Sequence, residues 1–256
     1  MQVRIGCCGF PVAQEKYYVT FPLVELQSTF YKLPRESTLQ RWREAAPSGF
    51  EFVVKAWQVI THPSSGPTWK RAGIKVGKTK AARYGFLRPT AENFEAFDRT
   101  IDACTILQAR VCLIQCPPSF KASPENVRNL KRFLSTVDRR GTTVAWEPRG
   151  NWIEKPILIR RLCEQLNLIH VVDLLRREPS SSPSIVYSRL HGLGSRQINY
   201  TYRYTYDDLK KLAQKISLFE RIGCQDAYIL FNNISMFEDA KRFFKLFHGT
   251  KSRETC

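Results

Sequence analysis

Residues 142–173 read TTVAWEPRGNWIEKPILIRRLCEQLNLIHVVD. An apolar, β-branched run from Thr142 ends at Glu147 and Pro148, a helical pattern follows from Glu154 to Leu166, and a second apolar run starts at Leu168. Strand, helix, strand is the unit from which parallel sheets are built, because parallel neighbours need a crossover.

The same alternation extends outward in both directions. Strand candidates are VRIGCC from Val3, LVELQS from Leu23, FEFVVKA from Phe50, RVCLIQC from Arg110, TTVAWEP, LIHVVDL, SIVYSRL from Ser184 and DAYILFN from Asp226. Helical patterns run from Glu36 to Ala46, Thr90 to Ala109, Ser123 to Arg139, Glu154 to Leu166, Tyr206 to Ile222 and Ser235 to His248. Ser123 before Pro124 and Glu125 has the form of an N-cap, and Gly223 and Gly249 follow helix ends as C-caps do. Eight strands close a TIM (β/α)8 barrel. The expected fold is therefore α/β, one barrel domain over residues 1–248 with a flexible basic tail at 249–256. The crossovers after strands 1 and 6, Phe10 to Phe21 and Arg176 to Pro183, look too short for a full helix. The connection after strand 3, His62 to Pro89, is instead long and basic.

Hydrophobic residues make up 43% of the 256, enough for a sizeable core and too many for a disordered chain. The opening MQVRIGCCGF lacks the layout of a signal peptide, and no stretch reaches the roughly 18 apolar residues of a membrane span. A cytoplasmic protein with no membrane partner is expected. The 8 cysteines form no CxxC pair, and Cys112 and Cys116 share one strand face, so they read mainly as small buried hydrophobes. The net charge of +17 speaks of partners, since such a field draws in polyanions: nucleic acid, single-stranded by preference, or a phosphorylated small molecule.

Barrel active sites lie at the C-terminal ends of the strands. Here those ends carry Glu25 and Gln27, Lys55, Gln115, Glu147 and Arg149, Asp173, Arg189 and His191, and Asn232 and Asn233. Residues two apart share a face, so Leu23, Glu25 and Gln27 align, as do Ala145, Glu147 and Arg149, and Tyr187, Arg189 and His191. Charges there are costly unless paired or used, which points to one polar, anion-binding pocket. Glu147, Asp173, Glu25 and His191 are the catalytic candidates. Lys55, Gln115, Arg149, Arg189, Asn232 and Asn233 are ligand-binding candidates, joined by Gly192, Gly194 and Arg196 in the turn after strand 7. Glu25, Glu147 and Asp173 could hold one hard divalent cation such as Mg²⁺. A structural ion-pair network, Glu147 with Lys55 or Arg189, is the rival reading.

The loop after strand 3 has no acid between His62 and Thr90. Its Trp69, Lys70, Arg71, Lys75, Lys78, Lys80 and Arg83, with Tyr202 and Arg203 from YTYRYTY, suit a single-stranded nucleic-acid surface of cations and stacking rings. GIKVGKT at 73–79 is one residue short of a phosphate-binding P-loop, and no helix is expected to open at Lys78.

VELQSTFYKLP, RW at Arg41, PSGFEFVVKAWQVITH, QCPPSF, WEPRGNW, YSRLHG and DAYILFNN stand in an order that resembles the YecE-like family, domain of unknown function 72. The resemblance implies a TIM barrel. It also implies signature positions at Glu25, Thr29, Tyr31, Lys55, Gln115, Glu147, Arg149, Trp152, Arg189, His191, Asn232 and Asn233. CCGFPVAQEKYY departs from the family by a shortened first β/α unit that lacks a Trp-rich extension. Sugar isomerases and DNA-repair endonucleases are related to that family by fold only, and fold does not give function. Charge, loop and pocket together favour a nuclease- or glycosylase-like hydrolase acting on phosphodiester or sugar–base bonds. The alternatives are an isomerase-like sugar or sugar-phosphate enzyme and a non-catalytic nucleic-acid-binding protein.

Overall fold

The computed structural model describes residues 1–181 and 184–254, without the side chains of Lys78 and of residues from Thr250 onward. Its elements are β1 (Gln2–Cys8), α1 (Gln14–Tyr18), β2 (Leu23–Leu26), α2 (Ser28–Tyr31), α3 (Glu36–Ala45), β3 (Glu51–Lys55), α4 (Lys78–Ala81), α5 (Ala91–Leu107) and β4 (Val111–Gln115). There follow α6 (Pro124–Thr136), β5 (Thr143–Glu147), α7 (Pro156–Leu166), β6 (Leu168–Val172), β7 (Ile185–Leu190), α8 (Tyr206–Arg221), β8 (Asp226–Phe231) and α9 (Met236–Glu254). The strands bond in chain order into a closed parallel barrel, β1 through β8. That is the expected TIM barrel. No helix among the described residues is long and apolar enough to cross a membrane.

The chain divides into two compact units, Met1–Glu25 with Val171 onward, and Leu26–His170. In the first, β1 pairs with β8 from Gln2↔Asp226 to Cys7↔Phe231, and β7 with β8 from Ile185↔Asp226 to Leu190↔Phe231. In the second, β4 and β5 pair from Val111↔Thr143 to Gln115↔Glu147.

Caps explain most helix ends. Thr90 and Ser123 accept from the N–H groups of Asn93 and Asn126, and Thr205 with Asp208 forms a reciprocal capping box on α8. Gln108 and Asn167 close α5 and α7 in the left-handed conformation. Three expected boundaries move. α6 stops at Thr136 because Val137 is extended, and Arg139 donates instead to the carbonyls of Leu134, Leu166 and Asn167. α7 begins only at Pro156, after a 3-10 turn over Gly150–Glu154. α9 continues past Gly249 to Glu254, so that glycine is not its cap.

Both short crossovers are as expected: only the five-residue α1 follows β1, and no helix is assigned among the described residues between β6 and β7; Ser182 and Pro183 lie outside the described residues. The first is closed by one side chain. Tyr17 of α1 donates its hydroxyl proton to the Leu23 carbonyl at 2.8 Å and accepts from the Cys7 N–H at 2.7 Å, bridging β1 and β2. Gly6 permits it, since a Cβ there would lie 2.1 Å from the Leu23 carbonyl oxygen. Tyr17→Phe leaves two buried backbone groups unpaired and is expected to cost about 2–4 kcal/mol. Urea unfolding measures this, and a loss below roughly 0.5 kcal/mol would show that the bridge is dispensable.

Candidate functional site

The strand-end residues form two clusters, one in each unit. In the first, the Arg189 guanidinium meets Glu25 as a fork, Nε to Oε2 at 3.0 Å and Nη2 to Oε1 at 2.9 Å. The Tyr187 hydroxyl donates to Oε2 at 2.7 Å. Glu25 and Arg189 are 0% and 1% exposed, so this pair is an internal brace. Arg189, expected to bind a ligand, and Glu25, expected among the catalytic candidates, are thus bonded to each other. Arg189 Nη1 lies 3.5 Å from His191 Nε2, while Asn232 Nδ2 lies 3.1 Å from His191 Nδ1. The imidazole is held from both sides.

Asp173 follows β6 and accepts from the N–H groups of His191 at 3.1 Å and Leu175 at 3.0 Å. Burial pushes its carboxyl up to about 6 despite those bonds and the nearby Arg176 and Arg177. The folded chain then holds this proton more tightly than the unfolded chain, whose Asp titrates near 3.9. Stability from this group therefore falls as pH rises from about 4 to about 6. Asp173→Asn is expected to remove that slope, changing its stability difference from the parent by about 2 kcal/mol between pH 4 and 7. Parallel denaturation curves at the two pH values would contradict it.

The turn after β7 differs from the expected phosphate cradle. The Gly192 N–H donates to the Tyr204 hydroxyl at 2.7 Å, and the carbonyls of Gly192 and Arg196 accept from Arg176 at 2.6 and 2.9 Å. Those backbone groups are occupied within the protein. A Cβ on Gly192 would meet the Asn199 carbonyl oxygen at 2.1 Å, so its glycine serves packing. Asn233 donates to the Tyr202 carbonyl and to Asp239, while its buried Oδ1 has no hydrogen-bond partner.

In the second unit, Gln27 has left β2 in a helical conformation, and its Oε1 accepts from Lys55 Nζ at 3.1 Å. The same ammonium lies 4.3 Å from the Phe30 ring centre. His62 packs edge-on against Phe30 at 4.9 Å, and the Thr61 hydroxyl reaches its Nδ1 at 2.8 Å. Burial, then Lys55, then Arg149 lower the His62 imidazole to about 3. Glu147 ends β5, and its Oε1 accepts from Arg149, from Nε at 2.9 Å and Nη2 at 2.8 Å. The arginine bonded to it is thus Arg149, a pairing that the rival network of Glu147 with Lys55 or Arg189 did not name. Gln115 ends β4 and is buried.

Over residues 14–254 the sequence matches the family described as "Protein of unknown function DUF72". The chain belongs to the DUF72 family. It is 24% identical over 247 residues to the UPF0759 protein YunF of Bacillus subtilis (strain 168), covering 86% of this chain and 80% of that one. A DUF72 protein of Thermotoga maritima MSB8 superposes with a TM-score of 0.71 at 23% identity, covering 97% of this chain and all of the other. One from Enterococcus faecalis V583 gives 0.72 at 18%, covering 96% of each. More distant barrels share the fold alone, among them a xylose isomerase domain protein from Planctomyces limnophilus (TM-score 0.63, 14% identity, all of both chains) and endonuclease IV from Thermus thermophilus (0.56, 12%, 98% and 99%).

The basic loop of this DUF72 chain is anchored rather than loose. Gly85, Phe86 and Leu87 donate to the carbonyls of Val59, Thr61 and Ile60, and buried Asn93 holds Gly85 and Arg88. Trp69 packs on Tyr84 at 5.6 Å, and Arg71 lies over Tyr31 at 5.1 Å. Arg83 is close enough to Glu92, at 2.9 Å, for an ion pair, though it is not aligned for a hydrogen bond. Lys70, Lys75 and Lys80 are exposed; the Lys78 side chain lies outside the described residues. A one-turn helix, α4, does open at Lys78, contrary to expectation, but the GxxxGKT spacing remains a residue short. Arg203 is exposed, whereas Tyr202 is tied by its hydroxyl to Asp208 at 2.7 Å and braces the α8 cap.

Among the described residues no three His, Cys, Asp or Glu side chains gather as a metal would require, and Glu25 and Glu147 each face an arginine. The seven described cysteines are free and buried; Cys256 lies outside the described residues. Sequence reasoning passed over His62, Phe30, Tyr187 and Arg176. Only Tyr187 carried a signal, its shared parity with Arg189; Phe30 reaches its site from the one-turn α2, and His62 and Arg176 from loops.

Proposed function

We propose that this DUF72 protein is a cytoplasmic enzyme acting on nucleic acid or another phosphorylated ligand, at a phosphodiester or sugar–base bond. The observation that carries this reading is the cationic cluster of the second unit. Lys55 and Arg149 both bear on one half-buried imidazole, and the exposed Lys70, Lys75 and Lys80 belong to the same unit. Two cations set at strand ends by Gln27, Phe30 and Glu147 suit phosphoryl oxygens. Glu147, whose carboxylate is oriented by the Arg149 guanidinium, takes the part of general acid/base. The free thiols suit a reducing compartment.

Binding of a fluorescent single-stranded oligonucleotide across salt concentrations tests this. Replacing Lys70, Lys75 and Lys80 together by Ala is expected to flatten the slope of log affinity on log salt by roughly two, at ~0.7 per lost phosphate contact on single strands. The reading fails if an inert polyanion of equal charge binds as well as the oligonucleotide and loses affinity identically with salt.

A second reading, an enzyme of sugars or sugar phosphates, is favoured by Asp173, whose carboxyl near 6, held by the backbone N–H of His191, suits proton transfer near neutral pH. Thermal stabilisation by sugar phosphates and none by oligonucleotides would choose it.

A further inference from the structure

His62 is not a strand-end residue, and the proposed function gives it no role of its own beyond marking where Lys55 and Arg149 bear. Its surroundings are nonetheless built. Its ring and the Lys55 ammonium share one face-and-edge partner, Phe30, and the Thr61 hydroxyl fixes Nδ1. The charged groups that bear on it are Lys55 of β3 and Arg149 after β5, both cations. In the tautomer in which Thr61 donates to Nδ1, the neutral ring carries its proton on Nε2 and has a donor there for a ligand.

We propose that His62 is a ligand-binding residue which, with Lys55 and Arg149, selects a dianionic phosphoryl group and takes up one proton as that group binds. This rests on the phosphorylated-ligand reading above. The balance is simple: imidazole plus a proton from solvent gives imidazolium, whose two N–H groups donate to a ligand oxygen and to the Thr61 oxygen, and no bond of the ligand breaks. In the free protein burial and the two cations oppose that proton, holding the ring neutral down to about 3. An opposite charge within about 4–6 Å shifts a titrating group by 1–3 units toward its charged form, and a dianion acts about twice as strongly, so the bound ring protonates in the mildly acidic range. By linkage the ligand then binds more tightly as pH falls. A monoanionic diester in the chain interior gives less of this than a terminal phosphate, so strand ends are preferred to interior phosphates.

Sulfate is the probe, because it stays a dianion across this range and any proton taken up belongs to the protein. The imidazole nitrogens of the full chain are followed by NMR from pH 4 to 7 in sodium sulfate and in sodium chloride of equal ionic strength. The signal absent from His62→Gln identifies the ring among the 4 histidines. The expected result is a ring neutral at pH 5 in chloride and protonated there in sulfate, with His62→Gln binding sulfate at least threefold more weakly at pH 5 than the parent. If sulfate binds and shifts neighbouring signals while His62 titrates alike in both salts, this inference is overturned and the binding reading stands. If sulfate does not bind at all, both fall.

Discussion

Arg189→Met is expected to destabilise the protein by about 3–5 kcal/mol, because it takes the guanidinium fork from a carboxylate that is 0% exposed. In a domain of this size that lowers the melting temperature by on the order of 10 °C. The cost of the pair lies in breaking it, not in lacking it. Glu25→Leu combined with Arg189→Met removes both charges and is expected to recover at least half of the loss. Calorimetry of the single and double variants decides. Equal losses in the two would mean that the brace matters for its shape alone and that the buried charge is not what is felt.

Glu147→Gln is expected to lower turnover on a single-stranded nucleic-acid substrate by about 10²–10⁴-fold while leaving affinity within a few-fold. The amide oxygen can still accept from Arg149 Nε and Nη2, so the clamp keeps its geometry and only the proposed acid/base group is lost. Single-turnover measurement separates the two effects. Unchanged turnover would remove Glu147 from the chemistry; tight binding without turnover in the parent would make the protein a binder rather than an enzyme.

The barrel was legible along the chain because its rule is local. A strand such as VCLIQ at 111–115 is apolar up to its closing Gln115 since both faces are covered, and the helix after it announces itself by Ser123, Pro124 and Glu125. The short crossovers were legible by counting residues. The shifts at α6, α7 and α9 were not, because an extended Val137, a 3-10 turn and a tolerated Gly249 depend on what packs beside them.

Sequence by itself determined the eight strands, their order and the polar residues that end them, since spacing and alternation follow from backbone geometry alone. Only the tertiary structure decided how those residues are spent. Glu25 and Arg189 stand 164 positions apart, and Glu147 and Arg149 two, yet each pair is closed by the same guanidinium chemistry. Which carboxylate meets which cation depends on strand register and side-chain reach. Likewise one histidine among four is kept neutral by its burial and by the charges of Lys55 and Arg149, and no local pattern encodes a field set by residues from distant segments.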